Sequence, residues 1–565
     1  MSGMDMKQDS CVAQSCQELP ADQRGTWTLR PMRAQVDVWR EADLLLTYNQ
    51  IMTEHPFMDI RVSGIFKHEN GMEMEVEGFC DAQDGTVFLV RFMPTVAGVW
   101  HYVVTLQETG ETAETFHGVL TAKEAGHKGM LVTDPSHPWH FMWAGTGEHY
   151  FWNGTTAYYL MGFEDEEEIC RVIDRLHAHK VNRIRVMLYG RQWDRPWNMP
   201  VVSNESFHMT LNPWEAKFPR DVTMPGFDMT RFNVAHWQKY ERMLSYAREK
   251  DMVVSVIFFI GAQPLPVPFQ PFSEDEMRYY RYAVARLSAF SNVTWDLGNE
   301  HDFHRDTSWW TGMTAQLVRH HDPYRHLLSA HNKAYAEPAD TWIDMQLLQV
   351  WDAGLNRVIL RQREVQAKSG RIIPQVIEEY GYEDLWEKNP GQRSGDTRRR
   401  CAWEVYMAGG YQTNGESPGT GTGLDEDGGG GWVNGRGDAD RTMFQTFAHL
   451  RDFFESFSWW RLNPDNERVL AYVPSKGEVS YWNQDGSPAA LRALCLAQPD
   501  STVVLYLPAG GMAVLSVEPG EWHVERFNPR TGERRVVGKC SGKIWSTPQT
   551  PDSGDWVFLL QTKRS

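Results

Sequence analysis

The strongest constraint on this chain is a rhythm. From about residue 129 to residue 456, apolar β-branched runs of strand length alternate with amphipathic stretches of helical period. Strand, helix, strand, repeated, demands a parallel sheet, because parallel neighbours need a long crossover rather than a tight turn. Strands are predicted over 149–159, 181–188, 252–260, 293–300, 326–331, 345–352, 372–379 and 410–414. Helices are predicted over 164–180, 232–250, 273–290, 307–321, 355–368, 397–408 and 440–456, with Ser273 and Glu276 at capping-box spacing. No helix is evident between the fifth and sixth strands. Eight strands with interleaved helices over about 325 residues fit an α/β fold of the (β/α)8 TIM-barrel type.

On either side the period falls to two. Residues 33–39, 72–77, 86–92 and 99–105 alternate, broken at Asp84-Gly85 and Ala97-Gly98. Residues 478–482, 502–507, 512–517, 522–527 and 556–560 do the same, with Asn528-Pro529-Arg530-Thr531-Gly532 as a turn. These read as antiparallel β-sandwiches flanking the barrel. The expected division is a flexible N-terminus (1–24), an N-terminal sandwich (25–126), the barrel (127–465) and a C-terminal sandwich (466–565). Residues 415–437, rich in glycine, are too long for an ordinary strand–helix connection and read as a lid or flap.

Charge narrows the partners. The chain carries 56 basic and 74 acidic residues, a formal net charge of -18, with no basic stripe, which argues against a nucleic-acid surface. No apolar run approaches the roughly 20 residues of a membrane span, and the first residues lack a basic-then-apolar leader. Seven cysteines, none in a Cys-x-x-Cys pair, fit reduced thiols in a cytoplasmic protein. The 24 tryptophans are a high count; most Trp is core or interface, but exposed indoles stack on sugar faces.

Two of the predicted strands end on an acid. Asn292-Val293-Thr294-Trp295-Asp296-Leu297-Gly298-Asn299-Glu300 closes strand four, and Gln375-Val376-Ile377-Glu378-Glu379-Tyr380-Gly381 closes strand seven. An unpaired buried carboxylate is costly, so a strand that finishes on one needs a reason. In barrel enzymes the reacting groups stand at the C-terminal strand ends, and two facing carboxyls are the equipment of a glycosidase. Glu300 suits the proton donor, kept protonated by enclosure, with Asn299 beside it for a sugar hydroxyl. Glu379 suits the ionised nucleophile, held by a cation such as Arg185 on strand two. His331, Trp351, Trp193 and Asn153 are candidate substrate contacts by strand-end position, although each also serves as an ordinary core residue. Asn332, Asp352 and Thr155 stand with them.

Other patterns carry less. His301, Asp302 and His304 follow Glu300 without the His-Glu-x-x-His order of a zinc site and read as pocket wall, so neither metal nor cofactor is expected. Gly415-Glu416-Ser417-Pro418-Gly419 matches a serine-hydrolase motif but lacks the strand and helix around it. Asp425-Glu426-Asp427 reads as a solvated acidic flap, and Arg398-Arg399-Arg400 as a solvated helix face.

Trp295-Asp296-Leu297-Gly298-Asn299-Glu300 resembles the Asn-Glu acid/base motif of clan A glycoside hydrolases. Val376-Ile377-Glu378-Glu379-Tyr380-Gly381 resembles their strand-seven nucleophile motif, which implies Glu379 rather than Glu378 as nucleophile. Asn182-Arg183-Ile184-Arg185 resembles the strand-two segment whose Arg supports that nucleophile. Phe79-Cys80-Asp81, Arg91-Phe92-Met93-Pro94-Thr95 and Gly98-Val99-Trp100 look like the small β-domain that precedes such barrels. The barrel resembles the apiosidase-like branch, and Phe527-Asn528-Pro529-Arg530-Thr531-Gly532 its terminal β-domain. One departure stands out. The clan often carries a Trp on strand eight, where this chain has Gly410-Tyr411-Gln412-Thr413-Asn414, so Trp432 in the glycine-rich loop is the expected substitute.

The expectation is therefore a retaining glycoside hydrolase that acts on terminal bonds of a carbohydrate substrate, with flanking sandwiches that wall the cleft or serve homo-oligomer contacts. The alternatives are a non-catalytic carbohydrate-binding barrel and a metal-dependent barrel hydrolase.

Overall fold

A computed structural model describes residues 27–562, apart from 50–52, 190–206, 222–223, 260–269, 301–306, 332–340, 386, 417–430, 438–442 and 476–480. The chain divides into two compact units, Met1–His127 with Tyr282–Ala289, and Lys128–Arg281 with Phe290–Ser565.

The second unit is built on eight parallel strands: β1 (Asn153–Thr156), β2 (Arg183–Met187), β3 (Val253–Ile257), β4 (Val293–Asp296), β5 (Leu328–Ser329), β6 (Gln346–Gln349), β7 (Gln375–Glu379) and β8 (Tyr411–Thr413). Their order is β5-β4-β3-β2-β1-β8-β7-β6. Where β5 meets β6 the ladder is replaced by single bonds. Asp344 N donates to Leu328 O at 2.9 Å, and Ser329 Oγ donates to Met345 O at 2.7 Å. Around the strands run α1 (Glu166–Ala178), α2 (Val234–Arg248), α3 (Glu274–Leu287), α4 (Thr307–His321), α5 (Leu355–Ser369), α6 (Gly395–Tyr406) and α7 (Met443–Glu455). The result is a (β/α)8 barrel. Local chemistry sets the helix ends: the Asp165 carboxylate caps Glu167 N, Ser394 Oγ accepts from Thr397 N, and left-handed Gly370 closes α5. The expected capping box opens α3, where Ser273 Oγ accepts from Glu276 N at 3.2 Å and the Glu276 carboxylate accepts from Phe272 N at 2.6 Å.

The barrel interior is charged rather than aliphatic. The period of two in Arg-Ile-Arg-Val-Met sets Arg183 and Arg185 on one face of β2, and both are completely buried. They survive there because Glu378 answers them, at 2.7 Å from Arg183 and 2.9 Å from Arg185, with Asp296 at 3.5 Å from Arg185.

Two expectations need correction. His149–Tyr150 is no part of β1. It pairs with Phe141–Trp143 in a small antiparallel sheet, and β1 starts only at Asn153. The run 149–159 is apolar almost throughout, so periodicity could not locate the change of partner. Arg398, Arg399 and Arg400 are buried at 4%, 2% and 7% exposure, not solvated. They reach backbone carbonyls and Asp555, which a charge run does not advertise. Gly415–Gly437 is described only at its ends. Gly431–Asn434 is a short helix there, and the serine-hydrolase-like and acidic patterns lie mostly outside the described residues.

The C-terminal residues of this unit form a six-stranded antiparallel sheet, in the order 463–464, 494–498, 502–507, 556–561, 521–527, 534–541, and a three-stranded sheet of 469–473, 512–516 and 544–546. Leu505, Leu515, Trp522, Val524 and Phe558 fill its core. The first unit holds a four-stranded sheet (27–31, 42–48, 87–92, 79–80) and a five-stranded sheet (35–37, 114–123, 98–108, 60–68, 73–77). Phe66 from one sheet stacks on Phe92 from the other with ring centroids 4.0 Å apart. Within this unit Tyr282 Oη donates to Cys80 O at 2.7 Å and Arg286 pairs with Asp81 at 2.7 Å.

Candidate active site

The site stands at the C-terminal ends of β4, β6 and β7. Glu379 is the last residue of β7. Between β6 and β7 the register shifts by one residue, so Gln349 pairs with Glu379 while Leu348 pairs with Ile377. Such an irregularity re-aims side chains. Here it lets two successive glutamates serve different neighbours. Glu378 turns to Arg183 and Arg185, whereas Glu379 turns to the residues at the mouth.

Glu379 Oε1 accepts from Gln349 Nε2 at 3.1 Å and from Trp351 Nε1 at 3.1 Å. Its Oε2 lies 3.4 Å from the Tyr158 hydroxyl and 3.7 Å from His331 Nε2. Gln349 Nε2 also donates to Glu300 Oε1 at 3.0 Å. Two carboxylate oxygens bound to one nitrogen at these lengths stand no more than about 6 Å apart. Glu300, four residues beyond β4, has φ 52°, and its N–H donates to His331 O at 2.8 Å. Burial first, and the neighbouring Glu300 second, push the Glu379 carboxyl up to about 7. Two carboxyls so close titrate as a pair, and the pair holds one proton near neutrality.

Arg185 is entirely buried, and its guanidinium is spent on Glu378, Asp296, Tyr158 and Asn299. It meets Glu379 through the Tyr158 hydroxyl, which lies 3.0 Å from Arg185 and 3.4 Å from Glu379. Arg185 thus braces the site from beneath and has no surface for substrate. Asn299 Oδ1 accepts from Arg185 at 2.7 Å and from Tyr158 at 3.1 Å. A guanidinium only donates, so the Asn299 oxygen is fixed towards it and Nδ2 is turned away. Trp351 is half-buried. Arg393 covers one face at 4.6 Å, and Tyr382 meets its edge at 5.8 Å. Trp432, 2% exposed, stacks on Tyr382 with centroids 4.8 Å apart and meets Tyr158 edge-on at 5.7 Å. Tyr382 stands close enough to Glu379 to lower its carboxyl, so Trp432 backs the residues around the carboxylate.

Asn153 is not brought to the mouth, and its expected substrate role is corrected. It opens β1, so it stands at the N-terminal end of the barrel. Its Nδ2 donates to Lys180 O at 3.1 Å, and its Oδ1 accepts from Gln412 at 2.8 Å. Trp193, Asn332, His301, Asp302 and His304 lie outside the described residues. Sequence reasoning missed Gln349, Tyr158 and Tyr382. The signal for Gln349 was available, as a polar residue that closes β6 after Leu347-Leu348 at the barrel mouth, but nothing in the sequence marks the two tyrosines. Among the described residues, Asp134, His137 and His149 offer three ligand atoms within 4.8 Å of one another. They precede β1, at the N-terminal face and away from the paired glutamates.

An eight-stranded parallel barrel with two carboxylates joined at its C-terminal mouth defines the class: this is a barrel glycosidase. The chain belongs to the family described as Apiosidase-like, catalytic domain, which matches residues 137–461, and residues 35–107 match a domain of unknown function, DUF5060. A protein from Bacteroides vulgatus ATCC 8482, provisionally named a glycoside hydrolase, superposes with a TM-score of 0.73 at 21% identity, covering 94% of this chain and 100% of that one. A family 5 glycoside hydrolase from the same organism gives 0.55 at 14% identity, covering 78% and 95%. A further structure described as a glycoside hydrolase gives 0.57 at 14%, covering 78% and 98%. At these identities the likeness is one of fold. No curated protein matches the sequence. No helix among the described residues is long and apolar enough to cross a membrane.

Proposed function

We propose that the chain is a retaining glycosidase in which Glu379 attacks the anomeric carbon and Glu300 protonates the leaving oxygen. The observation that carries this reading is the single Gln349 amide shared by both carboxylates. One oxygen of each lies within hydrogen-bond length of that nitrogen, at 3.0 and 3.1 Å, which fits the roughly 5–5.5 Å of retaining enzymes better than the roughly 6.5–9.5 Å that leaves room for an inverting water. Trp351 Nε1 donates to Glu379 alone, whereas Gln349 Nε2 donates to both carboxylates, so the indole favours charge on Glu379 and turns the shared proton to Glu300 as substrate binds. Attack by a Glu379 oxygen forms a glycosyl ester as the glycosidic C–O bond breaks, and the Glu300 proton passes to the departing oxygen. Glu300, now a carboxylate, takes a proton from water as that water attacks the same carbon and frees Glu379. Asn299 Nδ2 is the donor offered to a neighbouring sugar hydroxyl, and Trp351 and His331 stand beside Glu379.

The bond cleaved is a terminal one in this reading, because a connection as long as 415–437 after β8 suits a barrel whose mouth is closed at one end. Five described cysteines, Cys80, Cys170, Cys401, Cys495 and Cys540, are free thiols, which supports a reducing cytoplasmic compartment. A screen of aryl glycosides, pyranose and furanose, identifies the sugar. Proton NMR of the first product then tests the mechanism. Retained anomeric configuration is expected, and an inverted product rejects it. E300A is expected to keep turnover of a dinitrophenyl glycoside and to form a glycosyl azide of retained configuration with azide, whereas E379A loses turnover.

A further inference from the structure

We propose that the N-terminal face of the barrel carries a second carbohydrate-binding site, remote from the paired glutamates, which tethers a glycan chain. An open cleft of about 500 Å³ is lined there by His137, Trp139, Trp460, Arg461, Asn463 and Gln498. Trp139 and Trp460 are both half-buried, so neither is spent on the core. Indole faces take the C–H faces of sugar rings, and the amides, imidazole and guanidinium around them match ring hydroxyls. No acid stands among these six, so neutral and uronic sugars both fit.

The platform is built rather than incidental. Asp134, 3% exposed, accepts from His137 at 2.9 Å and from His149 at 2.8 Å through one oxygen. His149 in turn stacks on Trp460 with ring centroids 3.8 Å apart and planes 9° from parallel. The Arg363 guanidinium lies 4.0 Å over Trp139 and donates to Asn463 Oδ1 at 3.4 Å. One buried carboxylate thus fixes His137 and, through His149, one indole, while one buried guanidinium fixes the other indole and an amide. Groups held in place before binding lose little entropy when a ligand arrives. The cleft residues precede β1 or follow α7, at the strand N-termini, whereas Glu300 and Glu379 stand at the C-terminal ends. A ligand here cannot reach the chemistry and can only hold a longer chain near it. This goes beyond the proposed function and uses neither the role of Glu300 nor that of Glu379.

The test is migration of the full chain through native gels containing xylan, mannan, mixed-linkage β-glucan or pectin. The wild type is expected to be retarded by at least one of them. W139A and W460A should weaken that retention by about tenfold or more while kcat/KM on a soluble aryl glycoside stays unchanged. Should either variant fail to fold, R461A and Q498A carry the same expectation. A wild type that no polymer retards, retention that survives these substitutions, or an equal loss of aryl-glycoside turnover overturns the proposal.

Discussion

Glu300 sits at φ 52°, in the left-handed region that a residue with a Cβ enters at a cost. Such a conformation stores about 1–3 kcal/mol and persists only where its surroundings over-determine it. Here the His331 carbonyl holds the Glu300 N–H and the Phe259 carbonyl holds that of Asn299. The companion Glu379 is costly in another way. Its carboxyl is raised from 4.5 to about 7, so between those pH values the fold keeps a proton that the unfolded chain has released. Stability contributed by that proton is present at low pH and is lost as pH rises through about 7. E379Q removes the ionisation, so it is expected to melt above the wild type at pH 8, by about 1–2 °C, and to lose that advantage at pH 4.5. Scanning fluorimetry across pH reads it, and a variant less stable than wild type at pH 8 would contradict the assignment. The same pair makes a kinetic prediction. The charge on Glu300 raises Glu379, so in E300Q the acid limb of kcat/KM on an activated aryl glycoside should move to lower pH. An unmoved limb means that the two carboxyls do not interact.

Strand β7 shows why one acid after another can be tolerated. The register shift beside Gln349 separates the two side chains, so Glu378 neutralises Arg183 and Arg185 while Glu379 is left for chemistry. Removing one partner of such a buried set leaves charge uncompensated, so E378Q is expected to cost about 3–5 kcal/mol in urea unfolding. W351F removes the indole N–H that Glu379 Oε1 accepts while keeping an aromatic ring there, and should lower kcat about tenfold with KM less changed. A change confined to KM would make Trp351 a binding wall instead. Much of this element was legible in the sequence. The eight barrel strands follow from apolar runs alternating with helical period, and Glu300 and Glu379 stood out because buried strands do not end on acids without cause. The strands Ala42–Tyr48, Ile60–His68, Glu114–Lys123 and Arg534–Ser541 were missed. Irregular alternation, an interior Gly64 and an exposed edge blur the period-two pattern that marks a strand. Asn153 was misplaced because a strand named too long puts its first residue at the wrong end. The roles of Tyr158 against Arg185 and Glu379, and of Arg398 against the Tyr380 and Gly381 carbonyls, depend on partners more than ten residues away in the chain, which no local pattern can supply.

At the scale of the whole molecule, the buried arginines of α6 tie the barrel to the C-terminal sheets within one compact unit. Arg399 meets Asp555 through two bonds, at 3.0 and 2.7 Å, with 2% of the Arg399 side chain exposed and none of Asp555. Arg400 donates to Pro508 O at 3.0 Å, and Trp403 stacks on Tyr506 with centroids 5.3 Å apart. Burial alone would raise the Asp555 carboxyl, but the charge and hydrogen bonds of Arg399 outweigh it and hold it below the usual 3.8. A carboxyl lowered in this way adds stability above its unfolded value and loses it as pH falls through the folded one. D555N strands Arg399 beside a neutral amide. It is expected to cost about 3–5 kcal/mol at neutral pH and to blunt the acid sensitivity of unfolding. Calorimetry should show the D555N barrel and C-terminal sheets still melting in one transition, at a lower temperature, because Arg400, Trp403 and the sheet contacts still couple them. If the C-terminal sheets instead melted separately while the barrel kept its wild-type midpoint, the salt bridge would be a local fastening and the barrel would be stable without it.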